Sequence, residues 1–203
     1  MAYCIVRIYK SDASAEAVME HVRTGLGPKI AQIPGFNRYF TFKTSDGRMG
    51  SYGVFDNKAA AEQSTSVARD FIRGTPGMPK MTLDESMQGE IGLSITGSPL
   101  PSGTGHAVMR LYRTAAPFAE VNAAIEQEAL GRIRDTPGMF RYSTAKLEDG
   151  RIATFGGFAT EQGAKASVAM AKELLQKAGS KIANLGLGTP QVIEATILYA
   201  VAK

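Results

Sequence analysis

The sequence predicts an α+β fold built from two successive βαββαβ units, and three observations carry the prediction. Displaced by 103 places, residues 3–72 align with residues 106–175 without a gap, and 19 of the 70 positions are identical. Self-similarity of this length marks a repeated architecture. The dipeptide Asp-Gly recurs in the same register, at Asp46-Gly47 and Asp149-Gly150, each time between two strand-like runs; that is a strong hairpin signal. In each half, two stretches with apolar residues at helical spacing separate the hairpin from flanking strand-like runs.

In the first half, residues 3–10 (YCIVRIYK) are rich in β-branched and aromatic side chains and read as a strand. Val18, Val22, Leu26, Ile30 and Ile33 then recur at helical spacing, with Ser14 placed to cap the helix and Pro34-Gly35 to stop it. Residues 36–44 and 48–56 are the hairpin strands. Asn57 caps a second helix whose inward positions are Ala60, Ser64, Val67, Ala68 and Phe71. That helix ends near Gly74 and Pro76, and residues 87–96 form the last strand. The second half repeats the order. Residues 106–113 are a strand, and Pro117 sits at the first turn of a helix carrying Val121, Ile125 and Ile133. Residues 139–147 and 151–159 flank Asp149-Gly150, a helix runs from 161 to about 178, and residues 191–202 form the final strand. A βαββαβ unit makes a four-stranded antiparallel sheet with both helices on one face. The expected division is 1–96, a linker over 97–105 of Gly, Ser, Pro and Thr with a single Leu, and 106–203. Extended, that linker reaches roughly 30 Å, enough for the second unit to fold back on the first.

Composition excludes more than it assigns. With 44% apolar and 21% charged residues the chain is an ordinary globular one. Met1 runs directly into the first strand pattern, leaving no room for a signal peptide, and no stretch reaches eighteen apolar residues, so no membrane span is expected. The single Cys4 cannot form an internal disulfide and reads as a small apolar strand residue in a reducing, cytoplasmic setting. The net charge of +4 is spread along the chain without a like-charge run, so neither nucleic acid nor anionic lipid is indicated as a partner.

The run Pro34-Gly35-Phe36-Asn37-Arg38-Tyr39, then a hairpin, then Tyr52-Gly53-Val54-Phe55-Asp56-Asn57 resembles the dimeric α+β barrel superfamily, in particular its antibiotic-biosynthesis-monooxygenase-like and stress-responsive members. The resemblance covers nearly the whole of both units on a sparse motif. It implies two ferredoxin-like units packing sheet to sheet, that is, a barrel dimer fused into one chain. The fusion removes the need for a dimer and leaves further association of two chains open. Relatives that degrade haem, or that oxidise polycyclic phenols without a cofactor, use Trp and Asn beside the cavity. This chain has no Trp, and Asn37 is replaced by Phe140 in the repeat, so neither activity carries over residue by residue and no cofactor is expected.

Uninterrupted alternation and a two-residue Asp46-Gly47 loop would put Phe36, Phe40, Phe42 and Phe55, with Val6 and Ile8, on the helix face. Ile5, Arg7, Tyr9, Tyr39, Thr41, Lys43, Tyr52 and Val54 would share the open face, with Arg110, Tyr112, Tyr142, Thr144, Lys146 and Phe155 as their equivalents. Arg7, Tyr9, Tyr39, Thr41 and Lys43 all recur identically. Arg7, Tyr9, Tyr39, Lys43, Tyr52, Arg110, Tyr112, Tyr142 and Lys146 are therefore the candidate ligand-binding residues of a cavity for an anionic, aromatic or conjugated small molecule, since guanidinium forks a carboxylate and tyrosine offers ring and hydroxyl. The same residues would equally serve as ties between the sheets, each Arg stacked on a Tyr of the other unit and offset by Glu90, Glu194 or Asp56. Asn37 and Tyr52 make the first unit the more polar half. His21 is matched by Ala124, which removes a paired histidine site, and His106 opens a strand at the linker. No His, Cys, Asp or Glu cluster has metal spacing, and Leu185-Gly186-Leu187-Gly188 lacks the strand-to-helix setting of a phosphate loop.

Three function classes follow. One is a cofactor-independent enzyme of the monooxygenase or isomerase type, in which Tyr39 or Tyr52 orients a phenol and Arg7 and Lys43 stabilise developing negative charge. Another is a non-catalytic ligand-binding or stress-related barrel. RNA recognition, which uses the same element order, needs stacking aromatics that Gly50 and Ala153 do not supply.

Overall fold

The computed structural model describes residues 1–99 and 104–203; Leu100, Pro101, Ser102 and Gly103 of the expected linker lie outside the described residues. The strands are β1 (Tyr3–Ser11), β2 (Phe36–Thr44), β3 (Met49–Phe55), β4 (Met81–Thr96), β5 (Gly105–Tyr112), β6 (Met139–Leu147), β7 (Ile152–Phe158) and β8 (Gln191–Ala202). Main-chain ladders join them in the order β1-β3-β2-β8-β5-β7-β6-β4 and close on themselves as an antiparallel barrel. The helices are α1 (Ala15–His21), α2 (Gly27–Ala31), α3 (Lys58–Gly74), α4 (Phe118–Glu128), α5 (Leu130–Arg134), α6 (Glu161–Gln176) and α7 (Lys181–Asn184). Two compact units are formed, one by Met1–Glu90 with Thr196–Lys203, the other by Ile91–Ala195. The division therefore falls within β4 and β8, and each long strand contributes to both units. No helix among the described residues is long and apolar enough to cross a membrane.

The caps act where the sequence placed them. Ser14 accepts from the Ala17 N–H, and Asn57 from the Ala60 N–H at 2.9 Å, each satisfying a donor that the first helical turn leaves open. Between α1 and α2 the chain widens into a π-turn, Val22–Leu26, which the apolar spacing alone does not reveal.

The hairpins differ from expectation by one residue. The Thr44 N–H donates to Arg48 O and the Gly47 N–H to Thr44 O, both at 2.9 Å, so the loop is Ser45-Asp46-Gly47 with Gly47 at φ +89°. Leu147 and Arg151 pair in the same way around Glu148-Asp149-Gly150, with Gly150 at φ +84°. These are turns closed by a left-handed glycine, not two-residue loops. The partner of Thr41 is consequently Ser51, and that of Tyr39 is Gly53. A bulge between Phe36 and Arg38 adds a second phase change, repeated between Met139 and Arg141.

Together these shifts reverse most of the expected faces. In the first unit, Tyr3, Ile5, Phe36, Tyr39, Met49 and Phe55 pack with Val18, Met19, Val22, Leu26 and Ile30 on the helix side. Arg7 belongs to that side too, since it reaches Thr65 on α3, as does Thr41, which meets Met19. Val6, Ile8, Phe40 and Phe42 point the other way, with Tyr52 and Val54. That second face is buried as well, and apolar character alone therefore cannot tell the two apart.

Candidate functional site

Alternation along β5 carries Val108, Arg110 and Tyr112 to the helix side of the second unit, and pairing through β7 adds Thr154 and Tyr142. Arg110 is only 4% exposed, and its Nη2 donates to Ser167 Oγ on α6 at 2.8 Å. Among the described residues no carboxylate stands within ion-pair range of it. Glu194, one expected compensator, is exposed on β8. Burial raises the Tyr112 and Tyr142 hydroxyls above the ordinary tyrosine range; the Arg110 charge and the Thr154 hydroxyl oppose that rise only in part. Both phenols are therefore protonated near neutrality.

The first unit has the same motif with different surroundings. Arg7, 1% exposed, holds Ser51 Oγ at 3.4 Å and Thr65 Oγ1 at 3.3 Å, and its Nη2 is buried without a hydrogen-bond partner. Tyr39 is pushed up to about 12 by burial against the opposing Arg7 charge, and burial raises Tyr9 as well. Glu90 is exposed, and Asp56 accepts from Asn37 Nδ2 at 2.8 Å, so neither balances Arg7.

The nine candidates thus divide by position. Arg7, Tyr9 and Tyr39 form one group, and Arg110, Tyr112 and Tyr142 another, each under its own helices. Lys43 and Lys146 are exposed at strand ends. Tyr52 lies on the opposite face from Arg7, its ring stacked on Phe40 at 6.3 Å. The polar residues that marked the first unit as the more polar half are therefore engaged elsewhere: Asn37 ties a corner, and Tyr52 faces away from the helices.

The voids differ between the units. Beneath the helices of the first is a space of about 30 Å³ lined by Tyr9, Tyr39, Thr41 and three methionines besides Met19: Met49, Met78 and Met81. In the second, a cavity of about 60 Å³ is bounded by Arg110, Tyr112, Tyr142, Thr154 and Ser167 on one side and by Val121, Ile125, Ala129, Ile133, Leu174 and Ile182 on the other. Outside it, a cleft of about 450 Å³ runs between α6 and the segment from Ala183 to Val192, with Lys172 at its edge. Arg110, Ala171, Leu175 and Leu187 line both spaces, so the guanidinium stands where the cleft meets the cavity. The cleft wall is fixed from below: Glu128 accepts from Ser180 Oγ and from the Lys181 N–H, pinning α7.

Ser167 and Leu187 were not among the expected site residues. Ser167 had a signal, since Ser64/Ser167 is one of the identical pairs; in the second unit that serine meets the sheet arginine, whereas Ser64 Oγ donates to Ala61 O. Leu187 had none, because no element was expected between α6 and β8. Neither histidine lines these spaces, so no imidazole is placed there to ligate a haem iron. Among the described residues no group of three or more His, Cys, Asp or Glu could hold a metal ion.

Neither a family model nor a curated protein matches the sequence. Solved structures do match. A candidate monooxygenase from Fusobacterium nucleatum is 12% identical over 100% of this chain and 94% of its own, with a TM-score of 0.68. An anthrone oxidase-like protein is 11% identical over 99% and 93%, at 0.60. A variant of chlorite dismutase from Candidatus Nitrospira defluvii is 10% identical over 98% and 91%, at 0.64. At such identities the likeness is one of fold: the chain has the α+β barrel architecture of these proteins.

Proposed function

We propose that the second unit binds an anionic aromatic or conjugated small molecule at Arg110, and that the protein is a cofactor-independent oxygenase of the monooxygenase type. One observation carries this: a buried guanidinium without a carboxylate faces a cleft large enough for a drug-sized ligand. A charge held this way is costly until an anion meets it. The fold shared with a candidate monooxygenase and an anthrone oxidase-like protein supports the reaction class.

The lining restricts the chemistry. Among the described residues no carboxylate or imidazole borders either space, and Lys172 stands at the cleft edge as the one amine. The substrate must therefore be acidic enough to bind as its own enolate or phenolate. Arg110 stabilises that charge, while Tyr112 and Tyr142 border the inner cavity behind it. An activated methylene and one dioxygen can then give a carbonyl and one water without an external reductant. Both methylene C–H bonds and the O–O bond break. The substrate supplies all four electrons, one oxygen atom enters the carbonyl, and the other leaves as water with the two methylene hydrogens. The buried Cys4 thiol, pushed up to about 12 by desolvation, takes no part and fits the cytoplasmic setting read from the sequence.

The test uses two probes. Anilinonaphthalene sulfonate, an anionic aromatic, should bind with one site per chain and lose that site in Arg110→Met; oxygen uptake with anthrone should depend on the same residue. Binding without uptake for any acidic methylene substrate would favour the ligand-carrier reading, to which the missing general base also points. No binding of the dye would remove the basis of both.

A further inference from the structure

We infer that the two spaces around Arg110 have separate occupants, the outer cleft taking the organic anion and the inner cavity taking dioxygen. The inference rests on the proposed oxygenase reading and adds a second binding site to it.

Size makes the first distinction. A cavity that accepts a benzene ring measures about 150 Å³; the inner space, about 60 Å³, is well below that. The cleft, about 450 Å³, lies within the range of ordinary ligand sites. An aromatic substrate therefore rests outside and presents its charged edge inward to Arg110. The inner space is nonetheless several times larger than the roughly 10–15 Å³ that a single water requires.

Polarity makes the second distinction. Beyond the sheet wall the inner cavity is bordered by Val121, Ile125, Ala129, Ile133, Leu174 and Ile182. A water among those six would lack the two to four polar partners that hold buried water, and one held at the sheet wall by the unpartnered Thr154 Oγ1 leaves most of the volume free. An apolar diatomic gives up no hydrogen bonds by entering. Dioxygen is the apolar molecule the proposed reaction consumes, and from this position it would stand beside the substrate face turned toward Arg110. Negative charge passing from the bound anion to oxygen would remain next to the same guanidinium.

The shared lining gives the route. Ala171, Leu175 and Leu187 border both spaces. Leu187 is buried between Gly186 and Gly188, whose φ values of +61° and +63° hold it inward. The first unit provides an internal control, since its corresponding space is about half as large and no cleft adjoins it among the spaces described.

The experiment is methyl-detected NMR of the full chain under raised oxygen pressure, where paramagnetic oxygen speeds the relaxation of methyls it visits. The expected result is a several-fold larger effect at Val121, Ile125, Ile133 and Leu174 than at the corresponding Val18, Val22 and Ile30. Ala129→Leu, or the milder Ala129→Val, should abolish the difference by filling the cavity; dye binding in the same sample reports that the variant has kept its fold. Equal effects in the two units, or an effect that survives both substitutions, would overturn the assignment. The two readings also fail separately. Dye bound at Arg110 without selective methyl relaxation removes the dioxygen site alone. Selective relaxation in a protein that binds no dye keeps the gas site and removes the substrate reading.

Discussion

The two buried arginines permit a matched perturbation, Arg7→Met and Arg110→Met. Methionine is flexible and of comparable length, so it can follow the path of the stem while removing the charge. Burying a guanidinium costs several kcal/mol even after relaxation, and each hydrogen bond to a charged group returns about 1.5–3 kcal/mol. Arg110 has one such bond, at 2.8 Å; Arg7 has two long ones, at 3.4 and 3.3 Å, and a buried Nη2 with none. Among the described residues no carboxylate contributes in either unit. Both substitutions should therefore stabilise the free protein by about 1–3 kcal/mol, which for a chain of this length raises Tm by about 2–12 °C. Their effects on ligand should differ: Arg110→Met loses the dye site, whereas Arg7→Met keeps it, because the space described in the first unit measures about 30 Å³. The assay is a dye-free circular dichroism melt together with isothermal dye titration. A fall in Tm for both variants would show that the arginines are structural ties. Loss of binding in Arg7→Met would refute the assignment of the site to the second unit.

Other outcomes follow from single contacts. At Gly50 an added Cβ would collide with the Phe42 ring at Cε2, so Gly50→Ala should destabilise by about 1–3 kcal/mol through overpacking, read as a lower Tm. Asp46 is held at about 2 by its bonds to Arg48 and Thr44. Because this folded-state value is depressed, its stabilisation is present above the ordinary value of about 3.9 and is lost as pH falls toward 2; melts of wild type and Asp46→Asn should differ at pH 6 and converge near pH 2. The Lys181 N–H and the Ser180 hydroxyl likewise hold the Glu128 carboxyl below its usual range. Glu128→Gln should thus speed amide exchange across residues 180–190, and acidification below the usual carboxylate range should do the same in wild type.

The fold was legible because its signals are local. The hairpins, the Ser14 and Asn57 caps and the whole of β8 follow from turn chemistry, capping and periodicity. The position of Arg7 was not legible because Val6 and Ile8 on one face of β1 are as buried as Ile5 on the other, and that of Tyr39 was not because strand phase survives only until a residue is inserted. One insertion is the third loop residue in each hairpin; the other is the bulge at Asn37, repeated at Phe140. A one-residue shift carries every side chain of a strand to the other face, and with both faces buried no polar residue exposes the error. The identities themselves were informative. Arg7/Arg110 and Tyr39/Tyr142 recur together because they lie beneath the helices, and Ser167 meets Arg110 there, whereas Ser64 Oγ donates to Ala61 O.

What separates the two units is the residues that did not recur. Leu26 stands where the second unit has Ala129, and Phe71 where it has Leu174; both differences remove volume from the second unit, whose cavity is the larger. Leu26→Ala with Phe71→Leu should therefore enlarge the space in the first unit, at about 2–5 kcal/mol for the leucine truncation. Selective oxygen relaxation should then extend to Val18 and Ile30. Dye stoichiometry should nevertheless stay at one, because the outer cleft depends on α7 and the Gly186–Gly188 segment, and the first unit has only residues 75–80 between α3 and β4. A second dye site in that variant would mean that cavity volume, rather than the cleft, determines where the anion binds.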